Sequence, residues 1–206
     1  MQEYLRFFVT LTAVLDPFLA VPIFLTLTAS QSVHNRVVLV RIVAVAVFVV
    51  LAASALLGEA VLTLVGASVA AFRVGGGLVL LLMALAMLHA EAGGVRQSEE
   101  EAAQVASGEV SGVVPLAVPL LAGPGAISTT IIAGQQRDGA HLAAILACIA
   151  VVSLLTWVVL RAGNAIRSRM GTTGLNIATR LLGLLLAALA IQTMAEGLKE
   201  LFPGLA

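Results

Sequence analysis

Long apolar runs separated by short polar stretches dominate the chain. Reading these runs between charged residues predicts six segments, at approximately 4–29, 36–57, 73–90, 111–135, 141–160 and 176–198. Most are close to the roughly 20 residues that an α-helix needs to cross about 30 Å of hydrocarbon. The strict apolar and polar alternation of a membrane β-barrel is absent from these runs. The pattern predicts an all-α membrane protein with six transmembrane helices.

Composition narrows the class further. Of the 206 residues, 60% are apolar and 11% are charged, with 11 basic and 11 acidic side chains. Soluble domains are typically about 45 to 50% apolar and about 25% charged, so a water-soluble globule is excluded. The balanced charge leaves no basic patch for nucleic acid. A single cysteine, Cys148, and three scattered histidines predict neither a disulfide nor a metal site, and we expect no cofactor.

The chain matches itself at an offset of 107 residues. This offset pairs four scarce or conformationally special residues in each half: Pro17 with Pro124, His34 with His141, Arg73 with Arg180, and Gly76 with Gly183. We therefore expect two three-helix repeats, residues 1–90 and 111–206, joined by a polar linker at 91–110. Because three spans are an odd number, the second repeat would enter the membrane in the opposite direction, which makes an inverted repeat.

Basic residues indicate the orientation. Arg6, Arg73, Arg137 and Lys199 fall on one side of the predicted membrane, and the other side carries Arg36, Arg41, Arg96, Arg161, Arg167, Arg169 and Arg180. The side with more Lys and Arg is normally cytoplasmic. Both termini are therefore predicted to lie outside. The first run is too long for the apolar core of a signal peptide, and we interpret it as a retained helix.

Two predicted spans contain helix breakers near their middle. Span one carries Asp16 followed by Pro17, and span four carries Gly123, Pro124 and Gly125. Proline removes a backbone donor and glycine eases unwinding, so helices 1 and 4 are expected to break near mid-membrane. Freed peptide groups cannot face hydrocarbon and must line a cavity or meet a ligand. Broken helices at equivalent positions of two inverted halves are typical of a transporter's central substrate site.

At these breaks the chain resembles the MarC family of bacterial integral membrane proteins, which includes members described as neutral amino acid transporters. The resemblance covers nearly the whole chain and is most specific at Ala122-Gly123-Pro124-Gly125-Ala126-Ile127; it also includes Asp16-Pro17-Phe18, Val21-Pro22-Ile23-Phe24, Arg73-Val74-Gly75-Gly76-Gly77 and Arg180-Leu181-Leu182-Gly183. It implies six helices, an inner-membrane location and gradient-driven transport of small metabolites, with small neutral amino acids as the expected substrate class. Leu19 stands where the family pattern leads us to expect glycine.

Polar residues near the breaks are the candidate substrate contacts. Asp16 is the only acid deep inside a span, where a charge costs about 2.5 to 3.5 kcal/mol on insertion scales. It either binds a proton, a cation or a substrate ammonium, or it only caps the half-helix that begins at Pro17. The other candidates surround the breaks or lie mid-span: Pro17, Phe18, Gly123, Pro124, Gly125, Ser128, Thr129 and Gln192.

For several of these residues a structural role is the alternative. Ser128 and Thr129 would otherwise bond to loosened backbone, and Gln192 to another helix. Arg73 and Arg180 lie near the starts of spans three and six, on opposite sides of the predicted membrane. They act either as gates or as side chains that extend to the membrane–water interface. The glycines behind them indicate close helix packing.

A secondary transporter with a small-molecule substrate and a coupling proton or cation is the function we predict. A passive channel would need a continuous polar pore, which so few polar residues hardly supply. A scaffold or assembly subunit is the remaining non-enzymatic alternative. An enzyme is not expected, because the spans hold no paired acids and no nucleophile beside a base. A homo-oligomer is compatible with the glycine-rich, lipid-facing surfaces.

Overall fold

The computed structural model describes residues 2–28, 31–89, 121–135 and 138–205. Across these ranges the protein is helical and contains no strand. The helices are α1 (Gln2–Leu15), α2 (Pro17–Leu27), α3 (Val33–Val65), α4 (Val69–His89), α5 (Pro124–Ala133), α6 (Gly139–Arg161) and α7 (Gly163–Leu201), followed by a short 3-10 helix at Pro203–Leu205. The predicted linker at 91–110 and the first ten residues of the predicted fourth span lie outside the described residues.

Five segments of the described chain are long and apolar enough to cross a membrane. They are Gln2–Leu25, Val33–Val65, Val69–His89, Gly139–Arg161 and Thr173–Leu201. The prediction of an all-helical chain with several membrane-spanning segments is therefore confirmed. Helix α5, with ten residues, is the described part of the fourth predicted span.

The first span is the centre of the bundle. In its most apolar window 61% of the residues are buried, against 28 to 33% in the four other spans. Helix α1 packs against α5, α6 and α7, and α2 packs against α6 and α7. The outer helices expose large apolar side chains such as Val45, Leu57 and Leu184, which suits a surface in contact with lipid.

Helix α3 is longer than the predicted span at 36–57. The prediction stopped beside Glu59, but one carboxylate does not end a helix, and apolar residues continue to Val65. The helix ends where Gly66 adopts φ +75°, a left-handed conformation that glycine takes without strain. Its start is fixed by Ser32, whose hydroxyl accepts a hydrogen bond from the amide of Asn35 at 3.2 Å.

Helix α7 also extends beyond its predicted span at 176–198. It begins at Gly163 and contains a kink at Gly171, where φ is +62° and ψ is −176°. The kink separates a short segment, which carries Arg167 and Arg169, from the membrane-spanning part at Thr173–Leu201. Arg180 consequently lies inside a continuous helix rather than at its head.

Helices α4 and α7 form an antiparallel pair in which glycines allow close approach. A β-carbon on Gly77 would collide with Met194 and lie 3.0 Å from the carbonyl oxygen of Ala190. On the other side of the pair, a β-carbon on Gly183 would lie 2.8 Å from Cβ of Met87. The predicted close packing at these glycines is confirmed, whereas Gly75 has open space beside it.

The remaining contacts follow a reciprocal pattern. Helix α4 packs on α5 while α7 packs on α2, and α3 packs on α5 while α6 packs on α2. Helices α3 and α6 also pack directly on each other. The two short helices, α2 and α5, are thus each enclosed by the two long helices of the other half of the chain.

Candidate functional site at two helix breaks

The first break is a single strained residue between α1 and α2. Asp16 has φ +41°, a left-handed conformation that costs most residues energy but that Asp and Asn adopt more readily. Its side chain is 0% exposed, and its carboxylate oxygen Oδ1 accepts a hydrogen bond from the amide of Leu19 at 3.2 Å. Asp16 therefore caps α2, which begins at Pro17 as the preference for proline in the first helical turn predicts.

The second predicted break lies at the start of α5, and the helix expected before it falls outside the described residues. Gly123, with φ −69° and ψ 178°, is the N-cap residue, and Pro124 begins the helix. Unlike α2, this helix has no side-chain hydrogen bond at its cap. The first amides of a helix carry a partial positive charge. Gly123 and Gly125 are buried, and Pro124 is exposed.

The two breaks lie side by side in the centre of the bundle. A β-carbon on Gly125 would lie 3.4 Å from Cγ1 of Val14, two residues before Asp16. The same position faces Leu80 and Met83 of α4. The described structure thus brings the region around Asp16 and Pro17 together with Gly123 and Gly125.

The backbone at the first break is less open than the sequence led us to expect. The amide of Asp16 donates to Thr12 at 3.1 Å, and the carbonyl oxygen of Asp16 accepts from Ala20 at 3.2 Å. The main-chain ladder therefore bends at Asp16 without a stretch of freed peptide groups. Apolar side chains close around Gly125. Two grooves lined by described residues lie elsewhere, at the outer surface.

The hydroxyl groups after the second break bond to their own helix. Ser128 and Thr129 both donate to the carbonyl oxygen of Gly125, at 3.1 and 2.8 Å. Thr130 donates to Ala126 at 2.7 Å. All three side chains are buried, and Ser128 faces Gly76 of α4. Their oxygens retain a lone pair that can accept a hydrogen bond from a ligand.

Of the other predicted contact residues, Gln192 stands apart from this group, whereas Phe18 directly follows Pro17 at the first break. Gln192 is exposed and donates to the carboxylate of Glu196, one turn further along α7, at 3.0 Å. Its hydrogen bond is thus within one helix rather than between helices. Phe18 is half-buried and packs against the core.

The two predicted gate arginines lie at opposite ends of the α4 and α7 pair. Arg73 pairs with Glu200 near the end of α7, with 2.9 Å between guanidinium nitrogen and carboxylate oxygen. Arg180 is exposed and lies close to Gly183, which packs against the end of α4. Neither residue is brought to the helix breaks by the described contacts.

A buried histidine was missed by sequence reasoning. Its position near the end of a predicted span indicates a histidine at the membrane interface, but His141 is 4% exposed. Its Nε2 donates to the carbonyl oxygen of Ala133 at 2.9 Å, and its Nδ1 accepts from the hydroxyl of Tyr4 at 3.2 Å. It thereby ties the end of α5 to the starts of α1 and α6.

An arginine performs the same task in the first half. The Nε of Arg36, near the start of α3, donates to the carbonyl oxygen of Thr28 just past α2 at 2.8 Å. In both halves a side chain eight residues downstream satisfies a carbonyl at the end of the short helix. The shared spacing of eight residues between carbonyl and side chain was the sequence signal that could have revealed this role. The offset of 107 residues hides it, because that offset pairs His141 with the exposed His34 and not with Arg36.

Comparison with known proteins identifies relatives of the whole chain. A family model described as "MarC family integral membrane protein" matches residues 1–202. The UPF0056 membrane protein YhcE of Escherichia coli (strain K12) is 36% identical over 203 residues, 98% of this chain and 94% of the relative. The UPF0056 membrane protein YvbG of Bacillus subtilis (strain 168) is 35% identical over 199 residues, 95% of this chain and 94% of the relative.

A more distant organism carries a similar protein. A UPF0056 membrane protein of Pyrococcus abyssi is 33% identical over 202 residues, 98% of this chain and 97% of the relative. No solved structure matches the chain.

Proposed function

Since the chain belongs to the MarC family of integral membrane proteins, we propose that it is a secondary transporter of small metabolites. Small neutral amino acids are the substrate class that the family resemblance implies. The observation that carries the proposal is a fully buried carboxylate, Asp16, at a helix break within a membrane-spanning segment. A buried acid in a membrane is costly, and such groups usually serve an ion or substrate path.

An inverted repeat is the architecture that we propose around this site. Under the offset of 107, α2 corresponds to α5, α3 to α6 and α4 to α7. The reciprocal contacts support it, because each short helix packs on the long helices of the other half. Pro17 and Pro124 also begin α2 and α5 at matching positions. The residues 111–206 then form the second three-helix repeat.

The substrate site lies between the two breaks in this proposal. The amides at the uncapped start of α5, beside Gly123 and Gly125, attract a carboxylate through their partial positive charge. Asp16 either meets the substrate's ammonium or exchanges a coupling proton or cation. Pro17, Phe18, Ser128 and Thr129 border this space, whereas Gln192 joins it only if α7 turns.

In this proposal the packed arrangement is a closed state of the transport cycle. Val14, Leu80 and Met83 fill the space beside Gly125, so transport requires one repeat to rock against the other and separate these contacts. Arg73 and Arg180, at opposite ends of the α4 and α7 pair, are placed to gate the two openings. The pair between Arg73 and Glu200 would then break and reform in each cycle.

Cellular placement follows the same proposal. The protein would reside in the bacterial inner membrane with both termini outside, since Arg36, Arg41, Arg161, Arg167 and Arg169 share the other side. Its activity would be transport without chemical conversion of the substrate.

Uptake into proteoliposomes tests the proposal. Purified protein is reconstituted and offered a panel of radiolabelled neutral amino acids, acidic amino acids and sugars, with and without a proton or sodium gradient. Gradient-dependent accumulation of at least one small neutral amino acid above its external concentration supports a transporter. Equilibration that never exceeds the external concentration indicates a channel, and absence of any protein-dependent flux across the panel contradicts both.

A further inference from the structure

A groove on the outer surface between α3 and α6 is unrelated to the helix breaks. Its volume is about 410 Å³, and its wall includes Arg41, Val45, Phe48, Ser153, Leu154 and Trp157. Apart from Arg41 and Ser153 these side chains are apolar or aromatic. The groove opens on the lateral surface of the helix bundle, which in a membrane protein is in contact with lipid acyl chains.

Positive charge is concentrated at one end of this groove. Arg41 belongs to its wall, and the guanidinium of Arg161 lies over the ring of Trp157, with 5.6 Å from its central carbon to the ring centroid. Since α3 and α6 run antiparallel, Arg41 and Trp157 occupy the same end. Within the described ranges neither arginine forms an ion pair with a carboxylate. Two guanidinium groups near one opening match a phosphate.

A polar group lies deeper in the groove, one turn from Trp157. Ser153 is 5% exposed, and its hydroxyl has no hydrogen-bond partner within the described part of the chain. Serine in a membrane helix ordinarily donates to the carbonyl oxygen one turn earlier. The hydroxyl of Ser153 lacks this usual acceptor, so an acceptor that packs against this wall of the groove, such as an ester carbonyl, would satisfy it.

The size of the groove favours a thin chain over a helix. A helix is about 10 to 12 Å across with its side chains, so a single turn of about 5.4 Å already occupies on the order of 400 Å³. From Arg41 to Phe48 the groove runs along about two turns of α3. It therefore suits an extended acyl chain better than a helix from a second copy.

We propose that this groove binds an anionic phospholipid. The phosphate lies between Arg41 and Arg161, an ester carbonyl accepts from Ser153, and one acyl chain follows Val45, Phe48 and Leu154 inward. Basic pockets between transmembrane helices are a recognised setting for acidic headgroups. The lipid would hold α3 and α6, one helix of each half of the chain, together at their basic ends.

Native mass spectrometry and thermal unfolding in detergent test the lipid site. The probes are phosphatidylglycerol and phosphatidylcholine with identical acyl chains. We expect one retained phosphatidylglycerol per chain and a higher unfolding temperature than with phosphatidylcholine. Arg41→Gln or Arg161→Gln should each weaken phosphatidylglycerol binding by about tenfold, as the loss of one charge-assisted hydrogen bond implies.

Two matched controls separate the groove from the general surface. Arg167→Gln removes an exposed arginine outside the groove and should bind the lipid as the parent does. Ala150→Phe fills the groove without changing charge and should abolish binding, whereas Ala53→Phe, exposed elsewhere on α3, should not. Native mass spectra give the fraction of folded protein that retains lipid. Lipid binding can therefore be measured even for a variant that is obtained in low yield.

Several outcomes would overturn the proposal. Equal retention of phosphatidylglycerol and phosphatidylcholine would show that the arginines do not select the headgroup. A loss of phosphatidylglycerol in Arg167→Gln equal to that in Arg41→Gln would show a general effect of surface charge. Stabilisation by glycerol phosphate alone to the same extent would identify a free phosphate site. A lipid-free dimer that Ala150→Phe disrupts would assign the groove to a second copy of the chain.

Discussion

Val14 of α1 lies against Gly125 of α5. A β-carbon added to Gly125 would be 3.4 Å from Cγ1 of Val14. Each residue is within two positions of a helix break, Asp16 on one side and Gly123 on the other. This contact makes the two breaks neighbours in the centre of the bundle. In the proposed transport cycle, a motion that opens a space between the two breaks would separate this pair.

Two glycines of α4, separated by one residue, give a matched test of helix packing. Gly77→Ala should destabilise the protein by about 1 to 3 kcal/mol, because the new methyl group meets Met194 and the backbone of Ala190. Gly75→Ala meets open space and should be neutral or stabilise by about 0.5 to 1 kcal/mol. Thermal unfolding in detergent measures both. Equal effects at the two positions would contradict the close packing of α4 on α7.

Asp16→Ala should be less stable than Asp16→Asn. Alanine removes the cap on the Leu19 amide, worth about 1 kcal/mol, and adopts φ +41° at a further cost of about 1 to 2 kcal/mol. Asparagine can accept the same hydrogen bond and tolerates the same backbone conformation. A difference of about 2 kcal/mol in the free energy of unfolding between the two variants is expected. Equal stability would show that Asp16 does not cap α2.

His141→Ala should destabilise the protein by about 2 to 3 kcal/mol, since it removes a buried side chain and leaves the carbonyl of Ala133 without its donor. The control is His34→Ala, the histidine that the offset of 107 residues pairs with His141, which is exposed and should change stability little. Tyr4→Phe should cost about 1 kcal/mol and should not add fully to His141→Ala. Full additivity would mean that the two side chains do not interact.

Changes to the ion pair between Arg73 and Glu200 should affect uptake more than the free energy of unfolding. The pair is partly exposed, so either Arg73→Gln or Glu200→Gln should change the free energy of unfolding by less than about 1 kcal/mol. If the pair closes a gate, Arg73→Glu should impair uptake, and adding Glu200→Arg should restore it in part. Uptake by proteoliposomes of the two single variants and the double variant measures this. Failure of the double variant to recover would remove the gate role of this ion pair.

Much of the fold was predictable because lipid imposes simple rules. A helix in hydrocarbon must satisfy its own backbone, so apolar length alone located the five spans found among the described residues. The position of the breaks was also readable, because Pro17 and Pro124 favour the first turn of a helix. Helix ends were harder to predict: α3 continues past Glu59 to Gly66, and α7 begins before its kink at Gly171.

Tertiary contacts decided what the sequence could not. The buried His141 bonds to Tyr4, which lies 137 residues earlier in the chain. No local sequence pattern predicts this contact. Gln192 finds its partner one turn away at Glu196, a local bond that the expectation of a buried mid-span position overlooked. The hydrogen bonds through Asp16 also continue, since one strained residue can redirect a helix without unwinding it.

The most direct test of the substrate site is gradient-driven uptake by Asp16→Asn in proteoliposomes. This change keeps the cap on α2 but removes the charge, and Asp138→Asn, at the exposed cap of α6, makes the same chemical change outside the site. Our account predicts that Asp16→Asn folds with parental stability but loses accumulation, while Asp138→Asn retains it. Full gradient-driven accumulation by Asp16→Asn would contradict the proposed role of the buried carboxylate.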